Sequence, residues 1–170
     1  LSIGEIQRRE FRKQIKLMSQ AGILVRLRGG RYGLPDEMNL ATGTLHSHPN
    51  GYGFLVPDKD NQTGDIYISS KNTSGAMHND KAVARIESHS NSGRPEGRII
   101  RILERSTTSL VGLFQSLDKN GWVIPLDNKY THEIFVSGKN KHGAKSRQVV
   151  IVDIISYPEK HQPPIGKVVE

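Results

Sequence analysis

The chain has 170 residues, with 24 Lys or Arg, 17 Asp or Glu and no cysteine, for a formal net charge of +7 and a pI near 9.7. The missing cysteines exclude a disulfide framework and a thiolate metal site, and no apolar run reaches the roughly 18 residues that span a bilayer. No signal-peptide pattern opens the chain, so the cytoplasm is the expected compartment, and a basic surplus of this size points to an anionic partner, nucleic acid first.

Ser2-Ile3-Gly4-Glu5 has the S-x-x-E form of a capping box, which predicts a helix to about Ala21 with Gly22 as terminator. At 100° per residue, Ile3, Phe11, Ile15, Met18 and Ala21 share one face, and Arg8, Arg9, Arg12, Lys13 and Lys16 the other. Two short strands at 23–27 and 31–34 follow, turning at Gly29-Gly30 and carrying Arg26, Arg28 and Arg31. A helix and then a basic hairpin has the order of the second half of a winged helix, so residues 1–40 read as a partial winged helix-turn-helix. The plainer account of the same charges is the solvated face of an amphipathic helix.

Residues 41–105 read as five short β-branched or aromatic strands separated by Gly, Asn, Asp and Ser clusters. Five strands in about 65 residues is the size of a small closed barrel. No room remains for the two helices that an RRM needs. In Asn50-Gly51-Tyr52-Gly53-Phe54-Leu55-Val56, strand alternation sends Tyr52, Phe54 and Val56 to one side. Ile66 and Ile68 suit the core, which turns Tyr67 outward beside Tyr52 and Phe54. Three outward rings forgo burial unless something stacks on them, and single-stranded bases do so. The same rings also suit a core or a protein interface. His46 and His48 make an incomplete metal site with no third ligand evident, and read as the edge of the ring platform.

Residues 106–170 repeat this pattern. Phe54-Leu55-Val56-Pro57 recurs as Trp122-Val123-Ile124-Pro125, and Asp65-Ile66-Tyr67-Ile68-Ser69 as Glu133-Ile134-Phe135-Val136-Ser137, both 68 residues on. Gly43-Thr44-Leu45 recurs as Gly112-Leu113-Phe114 at 69, and Lys81–Ile86 as Gln148–Asp153 at 67. Pro95–Ile100 recurs as Pro164–Val169 at 69. A period of this length suits two tandem domains rather than a solenoid. The chain therefore reads as mainly β: two tandem five-stranded OB-fold, cold-shock-like barrels, the second with its last strand cut short, and Ser106-Thr107-Thr108-Ser109 as linker. In the second barrel Tyr52 falls on Asn120, leaving Trp122 and Phe135 as outward aromatics with Lys119 nearby; core anchoring of Trp122 is the alternative. Lys139, Lys141, Lys145 and Arg147 lie in a loop, either simply solvated or in contact with phosphate.

The charge is unevenly spread: +4 over residues 1–41 (8 basic, 4 acidic), −1 over 42–92 (4 and 5) and +4 over 93–170 (12 and 8).

Gly51-Tyr52-Gly53-Phe54-Leu55-Val56 and Asp65-Ile66-Tyr67-Ile68 resemble the two ribonucleoprotein motifs of cold-shock domains. The ordered set resembles, over essentially all 170 residues, the N-terminal region of the ribonuclease R family, a branch of the ribonuclease II exoribonucleases. That set is a basic winged helix, Gly43-Thr44-Leu45, His48-Pro49-Asn50-Gly51-Tyr52-Gly53-Phe54, Gly93-Arg94-Pro95-Glu96-Gly97 and a second barrel. The resemblance implies a processive 3′-to-5′ RNA hydrolase, dependent on Mg²⁺ held by clustered Asp residues of a catalytic domain. No such cluster occurs in this sequence, so the chain is expected to be a fragment with no catalytic site and no cofactor of its own. Its expected partners are single-stranded RNA and, within the parent protein, that catalytic domain. A free-standing cold-shock-like chaperone or regulator, and a protein-interaction module, are the alternatives.

Overall fold

The computed structural model describes residues 3–26, 28–35, 38–58, 64–159 and 162–170. Ser2 of the expected helix cap, Leu27 of the expected hairpin and the Arg28 side chain lie outside the described set.

Helix α1 spans Ile3–Gln20. Gly22 ends it at φ 74°, which only glycine adopts freely, and the Ile23 N–H returns to the Met18 carbonyl at 2.9 Å, the closing bond of a Schellman motif. The Thr42 hydroxyl donates to the Gly22 carbonyl at 3.1 Å and fastens the helix end to the first barrel. The hairpin is smaller than expected: β1 is Val25–Arg26, β2 is Tyr32–Gly33, and a 3-10 turn at Arg28–Gly30 joins them. Among the described residues the expected apolar helix face is covered only in part: Phe11 is 66% exposed, while Ile15 and Met18 are half-buried.

The first barrel consists of β3 (Leu40–Ser47), β4 (Gly53–Pro57), β5 (Ile66–Ile68), β6 (Lys81–His89) and β7 (Pro95–Glu104). It closes in the order β3-β4-β5-β7-β6, with β5 and β7 parallel. Alternation puts Leu45, Leu55, Ile66, Ile68, Ala82, Ala84 and Ile99 inside. A Cβ on Gly43 would collide with the Val56 carbonyl and one on Gly97 with the Arg85 carbonyl, so glycine lets the strands coil tightly there.

The second barrel consists of β8 (Ser109–Leu117), β9 (Asn120–Pro125), β10 (Ile134–Val136), β11 (Val149–Ser156) and β12 (Ile165–Val168). It repeats the same topology, with β12 parallel to β10. The expected truncation of the last strand does not open it: β12 has 4 residues against 10 in β7, yet pairs with both β10 and β11 and closes the barrel. One repeat block shifts by a residue. Val150 and Val152 are buried like Ala82 and Ala84, while Val149 is 60% exposed, so the offset between β6 and β11 is 68 rather than 67.

The joint between the barrels is built from the loop before β6. Asp80, fully buried, accepts from the Met77 N–H at 2.8 Å, from Arg105 Nη1 at 2.8 Å and from the Ser106 N–H at 3.0 Å. The same Arg105 nitrogen donates to the Gly75 carbonyl at 2.8 Å, and its guanidinium lies 4.1 Å from the Tyr157 ring centre. Met77 leaves its own barrel and joins the core of the second, in one cluster with residues such as Phe114 and Val150. The predicted linker is therefore pinned: Thr107 is buried, its hydroxyl 2.9 Å from the Tyr130 hydroxyl, and its carbonyl accepts from the Tyr157 hydroxyl at 3.0 Å.

Candidate nucleic-acid interface

The interface starts from one cross-strand register. Phe54 pairs with His46 on one side and with Tyr67 on the other, so period-2 alternation puts all three on the outer face of the sheet. The ring centres of Tyr52, Phe54 and Tyr67 lie 5.6–5.8 Å apart, each ring half-buried. His48 stacks on Tyr52 at 4.3 Å with 10° between planes, which helps to fix the orientation of that tyrosine. The Arg94 guanidinium stands 5.5 Å from the Phe54 ring centre, within cation–π range. Beside it, Phe54, Asp65, Gly93 and Arg94 border an open recess of about 570 Å³.

His78 supports this platform from behind. It is buried, and its Nδ1 accepts the Ser47 N–H at 3.1 Å, holding the end of β3. Its ring meets His46 edge-on at 5.7 Å and Tyr130 of the second barrel at 5.9 Å. Burial pushes the His78 pKa down, and the cationic Lys129 and then His46 add to the shift, against an opposing effect of Asp127.

The sequence-predicted residues thus divide. Tyr52, Phe54, Tyr67, His46 and His48 come together on one surface. Trp122 and Phe135 pair on the second barrel, 5.3 Å apart at 68°, half-buried on the outer face rather than in the core. Lys119 is exposed at the β8–β9 turn, three residues before Trp122. Arg8 and Arg12 are exposed on α1, and Arg26 and Arg31 on the hairpin, each outside both ring sets. Arg94, which enters the sequence reading only within the Gly93–Gly97 motif, is not among the predicted site residues, and neither is His78. For Arg94 the available signal was its place after Gly93 in the turn leading to β7; for His78 there was none. Among the described residues no group of three or more His, Cys, Asp or Glu side chains converges in a way that fits a metal ion, and no helix is long and apolar enough to cross a membrane.

Two family models match the chain: the ribonuclease B OB domain over residues 43–102 and the cold shock domain over residues 122–170. Among curated relatives, the chain is 33% identical to ribonuclease R of Acidithiobacillus ferrooxidans, a match covering 100% of this chain and 39% of that protein. It is 32% identical to ribonuclease R of Escherichia coli, covering 98% of this chain and 20% of that protein. The chain thus spans between a fifth and two fifths of the length of these relatives. Among solved structures, yeast Ssd1, a pseudonuclease, matches with a TM-score of 0.66 at 17% identity, over 79% of this chain and 23% of that one. Mycoplasma genitalium RNase R in complex with ribose-methylated single-stranded RNA also gives 0.66 at 17% identity, over 76% and 21%. At that identity the structures speak for the fold: an OB and a cold-shock barrel in tandem. With matches at about a third identity along essentially all of this chain, and with these two barrels, the chain is similar to a part of the ribonuclease R proteins.

Proposed function

We propose that this chain is the RNA-engaging region of a ribonuclease R-like processive 3′-to-5′ exoribonuclease. It captures single-stranded RNA and passes it to a catalytic domain, which supplies Mg²⁺ and the hydrolytic step. In this reading the partial winged helix and its hairpin, through Arg8, Arg12, Arg26, Arg28 and Arg31, gather the phosphate backbone. Tyr52, Phe54 and Tyr67 stack bases, His46 and His48 border them, and Trp122 and Phe135 with Lys119 hold a further stretch. The parent enzyme works in the cytoplasm.

The observation that carries the proposal is the cluster of three outward rings beside Arg94. Aromatic area on an open sheet face gains its free energy when bases cover it, at about 1–3 kcal/mol per base. The Tyr52→Ala plus Phe54→Ala chain is expected to bind single-stranded RNA about 2–5 kcal/mol more weakly, if the stacking contributions add. Fluorescence anisotropy with a labelled oligonucleotide reads this, and unchanged affinity would move the platform to a protein-binding role. The chain is expected to bind labelled RNA in Mg²⁺ without shortening it.

A further inference from the structure

The duplication provides an internal control. The loop before β6 and the loop before β11 share one backbone. Ser74 and His142, Gly75 and Gly143, and Asn79 and Arg147 all take positive φ at equivalent places. The 3-10 turns Ser70–Asn72 and Gly138–Asn140 begin them. Met77 N–H bonds to Asp80, and Lys145 N–H bonds to Gln148. Ser47 N–H bonds to His78, and Ser116 N–H to Ser146, at 2.8 Å in the second barrel.

The two loops differ in what they present. In the first, apolar Met77 and buried Asp80 make the joint to the next barrel. In the second, those places are taken by Lys145 and Gln148, both exposed. The plug has become a cation, and the carboxylate that recruits an arginine has become neutral. Lys139, Lys141 and Arg147 add three more positive charges, with no acidic residue from Gly138 to Gln148. None of the four is ion-paired among the described residues.

The loop is also held in place. Lys141 Nζ donates to the Ser116 hydroxyl at 2.7 Å and lies 5.4 Å from the Phe114 ring centre, and the Gly138 N–H donates to Asn120 Oδ1 at 3.1 Å. These anchors fix the loop to the β8–β9 hairpin, where Ser116 pairs with Gly121 next to Trp122.

We propose that Lys139, Lys141, Lys145 and Arg147 form a phosphate-binding track on the second barrel, which holds the RNA backbone where it passes Trp122 and Phe135. The track takes phosphodiester groups of any sequence. The inference rests on the proposed RNA binding of the chain, and its test separates the two.

The experiment measures affinity for a single-stranded oligonucleotide against salt for the unchanged chain and for a variant with Lys139→Gln, Lys141→Gln, Lys145→Gln and Arg147→Asn. Asparagine is the residue that already takes positive φ at the equivalent position 79. Each lost phosphate contact lowers the slope of log affinity against log salt by about 0.7. If all four contact phosphate, affinity of the unchanged chain falls on the order of 50-fold more than that of the variant between about 50 and 200 mM salt. A second variant, with the three lysines changed to arginine, is expected to keep the original slope. An unchanged slope in the neutral variant, with the chain itself binding RNA, overturns the track. Failure of the unchanged chain to bind RNA overturns the proposed function instead.

Discussion

Asp80 and Gln148 stand at the same place in two copies of one barrel and do different work. Each accepts a backbone N–H three residues earlier, which shapes the loop. Only Asp80 carries a charge, and only there does an arginine arrive to meet it. Nothing in the sequence separates Asp80 from an ordinary loop acid, because its partners Arg105 and Ser106 lie 25 and 26 residues away. The three rings, by contrast, were legible, since strand alternation needs only neighbouring residues. His78 has a pH consequence. Its native pKa lies below the unfolded value of 6.5, so between the two values the unfolded chain binds more protons and stability rises with pH. The contribution is whole above about pH 6.5 and is lost as pH falls through the native value. Half-buried His132, its pKa also lowered by burial, adds in the same direction. Thermal unfolding between about pH 7 and 5 is expected to show this acid loss, and His78→Gln, which keeps a hydrogen-bond acceptor without titrating there, to reduce it.

Among elements, strands were easier to locate than to register. The run Val149-Val150-Ile151-Val152 is β-branched throughout, so its residue types do not say which side is inward. The structure decides through burial of Val150 and Val152. The helix shows a different limit. Its period of 3.6 was correct and its terminator was Gly22, but an apolar stripe does not reveal whether anything covers it. What holds α1 is its C-terminal end, where a Cβ on Gly22 would strike the side chains of Leu103 and Thr42. Gly22→Ala adds that collision to a left-handed conformation costing about 1–2 kcal/mol. The expected outcome is an undocked helix over intact barrels, read as lost helical circular dichroism with the main thermal transition retained.

For the whole molecule, the pinned joint decides whether two weak surfaces act as one. With Met77 in the core of the second barrel and Arg105 fastened to Asp80, the distance between the two aromatic sets is fixed rather than sampled. A second binding event on a tethered surface proceeds at an effective concentration set by the geometry of the connection. Removing one member of a buried ion pair costs about 3–5 kcal/mol, so Asp80→Ala is expected to loosen the joint as well as to lower stability. If both ring sets take bases as proposed, the joint turns the molecule into a gauge of oligonucleotide length. A strand too short to bridge the two sets of rings occupies one alone, and one just long enough occupies both. Affinity plotted against nucleotide number is then expected to rise in a step, blurred by Asp80→Ala, whereas a smooth climb in the unchanged chain would mean that the barrels bind independently. Such a threshold would commit long single-stranded tails to the molecule and release short remnants, a selection by length that needs no contact with base identity.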